Sequence, residues 1–85
     1  METTFNRLTI KSLLLDAITY YKFKQHLAPG WKQAKTMLCV QAGRKPTINN
    51  IQFIRLLGLI YQDNGLCAEF DEIIAKNGLS KVVYN

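Results

Sequence analysis

The residues from Cys39 to Lys45 come nearest to a catalytic motif in this sequence. A cysteine followed by a tight loop, with an arginine six positions later, can cradle a phosphate group on backbone N–H groups and attack it as a nucleophile. Here the sixth position after Cys39 is Lys45, Arg44 comes one residue early, and Leu38 stands where a histidine usually precedes the cysteine. The spacing therefore does not support phosphoryl chemistry. No acid–base pair or activated nucleophile can be assembled from local spacing elsewhere, so we expect no catalytic residues.

Metal ligands are equally sparse. The chain has one histidine, His26, and two cysteines, Cys39 and Cys67, without the close Cys-x2-Cys spacing of a zinc site. The Asp-Asn-Gly sequence at 63–65 is reminiscent of a calcium loop, but this alignment puts Ile60 at the first ligand position, where it cannot bind calcium. We therefore predict no metal, no cofactor and no small-molecule substrate. His26 is expected to be a solvated surface residue.

Length and composition indicate one small globular domain. The chain has 85 residues, of which 48% are hydrophobic and 20% charged, which is ordinary for a folded protein. Two cysteines cannot form a disulfide scaffold, and unpaired thiols are typical of a reducing compartment. The first residues lack the basic and apolar regions of a signal peptide, and no apolar run is long enough to span a membrane. We expect a cytoplasmic protein, or a nuclear one in a eukaryote, that is not secreted.

The hydrophobic spacing predicts an all-α fold, as a small four-helix bundle or orthogonal helical domain. Apolar residues recur at helical spacing in four segments, 8–23, 31–42, 48–62 and 66–76. The segments are separated by Pro29-Gly30, by Gly43 to Pro46 and by residues 63–65, which are typical helix stops. Thr47 is the predicted N-cap of the third helix. Residues 1–6 are expected to form a short arm, and residues 79–85 an extended or frayed tail.

The third helix should lie at the centre of the domain. A helix that is apolar on nearly every side must be covered on every side. The apolar residues of this segment that share its main face are Phe53, Ile54, Leu56, Leu57, Ile60 and Tyr61. This breadth predicts that the other helices pack around it.

Charge is divided unevenly along the chain. The net charge is +5, but residues 1–55 hold nine basic side chains against two acidic ones, and residues 56–85 hold two basic against four acidic. A basic body suits an anionic partner, although the same excess can serve solubility alone. The charge pattern leaves both interpretations open.

One functional hypothesis is a helix-turn-helix regulator that binds duplex DNA. The helix 31–42, the turn 43–46 and the helix 48–62 would form the motif. Basic side chains on the first helix and turn would neutralise phosphates, and polar side chains on the second would meet base edges. The residues expected to contact nucleic acid are Lys32, Lys35, Arg44, Lys45, Asn49, Gln52 and Arg55. The alternative is that the lysines form a solvated face and that Asn49 or Asn50 helps to cap the helix.

We favour a second hypothesis, a non-enzymatic regulatory or adaptor module that acts by protein–protein contact. The arc of the third helix opposite its main apolar face contains Ile51 and Leu59 beside Arg55, and Leu15 and Phe23 lie off the main face of the first helix. Apolar residues interspersed with basic ones are typical of a surface that binds another protein or a second copy. These five residues are the predicted contact site. The alternative is that packing within the domain covers them.

Overall fold

All the regular secondary structure in the described part of the chain is helical. The computed structural model describes residues 7–25 and 30–84, so the predicted arm at 1–6 and His26 lie outside the described residues. Within the described ranges there are five helices and no strand. The helices are α1 (Arg7–Phe23), α2 (Trp31–Gln41), α3 (Asn50–Asp63), α4 (Cys67–Lys76) and α5 (Ser80–Tyr84). The all-α prediction is confirmed, and none of these helices is both long enough and apolar enough to cross a membrane.

Helix α3 is central, as its all-round apolar character predicts. It packs against α1, α4 and α5, and the side chains of Phe53, Ile54 and Leu57 have no solvent-exposed surface. Its first residue, Asn50, donates a hydrogen bond of 2.7 Å through Nδ2 to the backbone oxygen of Ala17 in α1. This bond fixes where α3 crosses α1, and apolar burial provides most of the stabilisation of the contact.

The N-cap of α3 is Asn49 rather than Thr47. The Asn49 side chain accepts a hydrogen bond of 2.9 Å from the backbone N–H of Gln52, so the helix begins at Asn50. The segment before it forms a turn in which the Ile48 N–H donates to the Lys45 oxygen at 3.3 Å. Asn49 itself has an extended backbone, with a φ of −73° and a ψ of 171°, so a helix beginning at Ile48 cannot run through it.

The connection from α2 to α3 is longer than predicted. Helix α2 ends at Gln41, and Gly43 adopts a left-handed conformation with a φ of 73°, which closes the helix as its sequence position predicts. The Arg44 N–H donates to the Cys39 oxygen at 2.8 Å in the same cap. Residues 42–49 therefore connect the two helices, in place of the predicted turn at 43–46.

The C-terminal tail is a short helix, which corrects the prediction of an extended or frayed segment. Gly78 has a φ of 70°, and the Leu79 N–H donates to the Ile74 oxygen at 3.0 Å, which closes α4 with a left-handed cap. Leu79 and Val83 are one helical turn apart and both buried, at 4% and 5% exposure. This shared apolar face holds α5 against α3 and α4.

Candidate functional site

A groove lies where α3, α4 and α5 meet, and we call it the α3–α5 groove. Its cavity volume is about 300 Å³, and its walls are mostly apolar. Among the described residues, those lining it are Arg55, Gly58, Leu59 and Gln62 of α3, Cys67, Phe70 and Asp71 of α4, and Val83 and Tyr84 of α5. This volume is at the lower end of the range for ligand pockets, which suits one or two side chains of a partner better than a cofactor.

The close approach of α3 and α4 depends on Gly58. A Cβ atom added at this position would lie 2.9 Å from the Phe70 ring, so no larger residue fits without displacing the ring. Phe70 is only 5% exposed and packs against Tyr61, with ring centroids 5.5 Å apart, and against Tyr84 at 6.3 Å. The glycine thus allows an aromatic ring to form the inner wall of the groove.

Two large side chains at the groove are exposed to solvent. Leu59 is 48% exposed and Tyr84 is 54% exposed. The Tyr84 hydroxyl donates a hydrogen bond to the Asp71 carboxylate, which fixes the orientation of the phenol. Partial burial, followed by this hydrogen bond and the carboxylate charge, raises the pKa of Tyr84 above its usual range. The groove therefore presents a neutral aromatic side chain and an exposed leucine to solvent.

Arg55 serves the architecture of the groove. Its Nε donates to the Val83 oxygen at 2.9 Å and its Nη2 donates to the Val82 oxygen at 3.1 Å. The planar guanidinium thus joins α3 to the last turn of α5. Both functional hypotheses assigned Arg55 to partner binding, and the structure gives its guanidinium this internal role as well.

The two cysteines lie in different environments. Cys67 is exposed and lines the groove. Cys39 belongs to α2, and its side chain is completely buried in the hydrophobic core. Burial raises the pKa of the Cys39 thiol, and the nearby charges of Lys35 and Arg44 oppose this effect. A buried thiol with a raised pKa is a poor nucleophile, in line with the failed loop motif. Among the residues described, no three His, Cys, Asp or Glu side chains cluster where they could hold a metal ion.

A second cavity, also of about 300 Å³, lies between α1 and α2. Thr9, Ser12 and Asp16 line it on the α1 side, and Trp31 and Ala34 on the α2 side. Burial raises the pKa of Asp16, but this carboxyl is the single titratable side chain among the described lining residues. The described lining of this cavity therefore places no second titratable group beside Asp16.

No protein-family model, no curated protein and no solved structure gives a significant match to this chain. The functional assignment therefore rests on the arrangement of the chain's own residues.

The predicted protein-contact residues lie on different parts of the structure. Arg55 and Leu59 line the α3–α5 groove, and Ile51 is half-buried elsewhere on α3. Leu15 and Phe23 are 40% and 65% exposed on α1, which contributes none of the described lining residues of the groove. The five residues thus do not form one site.

The sequence did not point to Phe70, Cys67 and Tyr84 as site residues. Phe70 matches an ordinary core position, and Tyr84 falls in a segment without enough residues to show helical periodicity. The one signal that could have found the groove is Leu59, an apolar residue on the arc of α3 opposite its main apolar face.

Several of the residues predicted to contact nucleic acid form hydrogen bonds within the domain. The Lys35 Nζ donates to the Ile48 oxygen at 3.0 Å and lies 5.6 Å from the centroid of the Phe53 ring. The Asn49 side chain caps α3, and Arg55 binds α5. The remaining predicted residues are exposed, and they are Lys32, Arg44, Lys45 and Gln52.

The helix-turn-helix geometry also differs from the prediction. The motif needs a turn of about three or four residues, but residues 42–49 separate α2 from α3. Residues 64–66 between α3 and α4 match that length, and Gly65 there has a φ of 72°. However, α4 carries Asp71 and Glu72 on its exposed surface, and these would repel phosphates if α4 entered a groove of DNA.

Proposed function

We propose that this protein is a non-catalytic regulatory or adaptor module that binds another polypeptide in the α3–α5 groove. The observation that carries the proposal is the combination of an apolar cavity of about 300 Å³ with two exposed side chains at its edge, Leu59 and Tyr84. Pockets that accept an apolar anchor residue of a partner are typical of the centres of protein interfaces.

The residue types at the groove support this proposal. Aromatic residues and arginine are enriched at interface cores, and here Phe70, Tyr84 and Arg55 are held in place by ring contacts and hydrogen bonds. A groove whose walls are already ordered loses little side-chain entropy on binding. The partner would therefore insert an apolar side chain between Leu59 and Tyr84.

A photo-crosslinking experiment tests the proposal. A photoreactive residue replaces Gln62, which is exposed at the groove, and in a second sample replaces Lys11, which is exposed on α1. We expect covalent adducts with polypeptides in native lysate from position 62 and not from position 11. Leu59→Asp should abolish these adducts, because a charge at the edge of an apolar cavity disfavours burial.

Leu15→Asp is the matched control, because Leu15 is also an exposed leucine, at 40% against 48% for Leu59. It should leave the adducts from position 62 unchanged. Equal adducts from both positions, or adducts insensitive to Leu59→Asp, would contradict the proposal.

Binding to nucleic acid is the second candidate, supported by the exposed basic side chains of Lys32, Arg44 and Lys45. Contacts of this kind depend on charge and vary little with sequence. If the candidate is correct, affinity for duplex DNA should fall steeply with salt, and replacing Arg44 and Lys45 together with glutamine should weaken binding to every sequence. No binding at low salt would exclude it.

A further inference from the structure

A second exposed apolar patch lies on the outer face of α2. Met37 is 51% exposed and Val40 is 61% exposed, and the two are three residues apart, so they are neighbours on one helix face. Lys32 and Thr36 are exposed on the same helix. We call Lys32, Thr36, Met37 and Val40 the α2 face. It combines apolar contact area with positive charge.

The surroundings of the α3–α5 groove carry the opposite charge. Asp71 lines the groove, Asp63 is exposed at the end of α3 and Glu72 is exposed on α4. Lys76 and Lys81 are also exposed on α4 and α5, but residues 56–85 hold four acidic side chains against these two lysines, which leaves an acidic excess. The basic residue of the groove wall, Arg55, is directed onto the carbonyl oxygens of Val82 and Val83. An apolar groove with acidic surroundings complements an apolar helix face flanked by lysine and by the exposed Arg44 and Lys45 that follow α2.

The two surfaces cannot meet within one molecule. The described residues that line the groove all belong to α3, α4 and α5, whereas the α2 face is the side of α2 that points away from the buried Trp31, Leu38 and Cys39. A contact between them must therefore join two molecules. Because the surfaces are different, that contact is heterologous. A pair of copies then keeps a free α2 face on one copy and a free groove on the other.

We propose that the occupant of the α3–α5 groove is the α2 face of a second copy of this chain, with Val40 and Met37 against Leu59 and Tyr84. This inference rests on the proposed function and adds the identity of the partner. The association is head-to-tail, so it closes into a ring or extends into a chain as concentration rises. One helix face against one small groove gives a small interface, so the contact is weak and sensitive to salt.

Two aspartate substitutions, one on each surface, test this inference. Association is measured by sedimentation velocity at low salt. The protein concentration is raised to about 1 mM, because a very weak contact has a dissociation constant of this size. The wild-type protein should show a mean mass that rises with concentration. Leu59→Asp places a charge at the groove and Val40→Asp places a charge on the α2 face, so each variant loses one of the two binding surfaces. Each variant alone should therefore remain monomeric. Both side chains are exposed, and unchanged urea midpoints will verify that the variants are folded.

A mixture of the two variants is the decisive sample. The α2 face of the Leu59→Asp variant is intact and can enter the intact groove of the Val40→Asp variant, which should give a 1:1 heterodimer that does not grow further. Leu15→Asp should behave as the wild type does. No heterodimer in the mixture, or a Val40→Asp variant that still associates, would overturn the inference.

Alkylation of Cys67 gives an independent reading of groove occupancy. Cys67 lines the groove and is exposed, and the buried Cys39 is an internal control for unfolding. In the wild type the rate of Cys67 modification should fall by half when half of the grooves are filled, and in Leu59→Asp it should not depend on concentration. A rate that is independent of concentration in the wild type would contradict self-association.

The two proposals can fail separately. If the wild type stays monomeric while the photoreactive residue at position 62 still gives adducts with another polypeptide that depend on Leu59, the groove binds a different partner and self-association alone is wrong. If Leu59→Asp alters neither the association nor the adducts, both proposals are wrong.

Discussion

The Tyr84 hydroxyl donates a hydrogen bond to the carboxylate of Asp71, and this bond joins the last turn of α5 to α4. The same phenol packs edge-on against Phe70, with ring centroids 6.3 Å apart. Tyr84→Phe keeps the ring contact and removes the hydrogen bond. We expect a loss of about 0.5–1.5 kcal/mol in the free energy of unfolding at neutral pH, measured by urea denaturation.

The contribution of Tyr84 should depend on pH in the alkaline range. Partial burial and the hydrogen bond to Asp71 raise the pKa of Tyr84 in the folded state. Above the unfolded value of about 10, the unfolded chain releases the phenol proton while the folded chain retains it, so stability is lost as the pH rises. The advantage of the wild type over Tyr84→Phe should therefore shrink as the pH rises from about 10 to about 12. A constant difference over this range would show that the phenol is not held neutral by the fold.

Arg55 should be the main support of α5. Its guanidinium donates to the carbonyl oxygens of Val82 and Val83, and a lysine cannot reach both with the same planar geometry. We expect Arg55→Lys to lower the free energy of unfolding by about 1–2 kcal/mol. Amide hydrogen exchange in residues 80–84 should accelerate more than exchange in α1, because the docking of α5 is weakened first.

Lys81→Met is the control for Arg55, because Lys81 is exposed on the same short helix. This change should alter stability by less than about 0.5 kcal/mol and leave the exchange pattern unchanged. If both variants accelerate exchange in α5 equally, the carbonyl contacts of Arg55 do not hold the helix.

The elements that were predicted well are those with enough turns to show helical periodicity. The pattern of α1 and α2 placed both helices to within about one residue of their observed ends. Helix α5 has only 5 residues, and an isolated helix of that length is unstable, so nothing local in its sequence could reveal it. Its stability comes from Arg55 and from the burial of Leu79 and Val83, which are contacts made only in the folded chain.

The groove was only partly predictable for the same reason. In the sequence, Leu59 is an apolar residue on the arc of α3 opposite its main apolar face, and the structure leaves it exposed. Its neighbours in the groove come from three helices, and their meeting depends on the angles between those helices. A hydrophobic pattern reports which face of each helix is buried, but it does not report how the exposed faces of different helices are arranged.

Gly58 provides a direct test of the packing that forms the groove. Gly58→Ala raises helix propensity by about 1 kcal/mol, but the new Cβ would lie 2.9 Å from the enclosed Phe70 ring. Because overpacking costs about 1–3 kcal/mol, we expect net destabilisation in urea. In a Phe70→Leu background the clash is relieved, and the same change should be neutral or stabilising. Equal effects in both backgrounds would contradict the close approach of α3 and α4 at this point.

The start of α3 distinguishes the sequence pattern from the folded geometry. Asn49 accepts the hydrogen bond from the Gln52 N–H, whereas Thr47 is exposed in the preceding turn. Asn49→Ala should therefore cost about 1 kcal/mol in the free energy of unfolding, and Thr47→Ala should cost less than about 0.5 kcal/mol. Asn49→Asp restores an acceptor at the cap and should recover most of the loss, because aspartate is an equally good N-cap residue. The reverse order, with Thr47→Ala the more damaging change, would mean that α3 begins at the earlier position, and the turn at 45–48 would then have to be part of the helix.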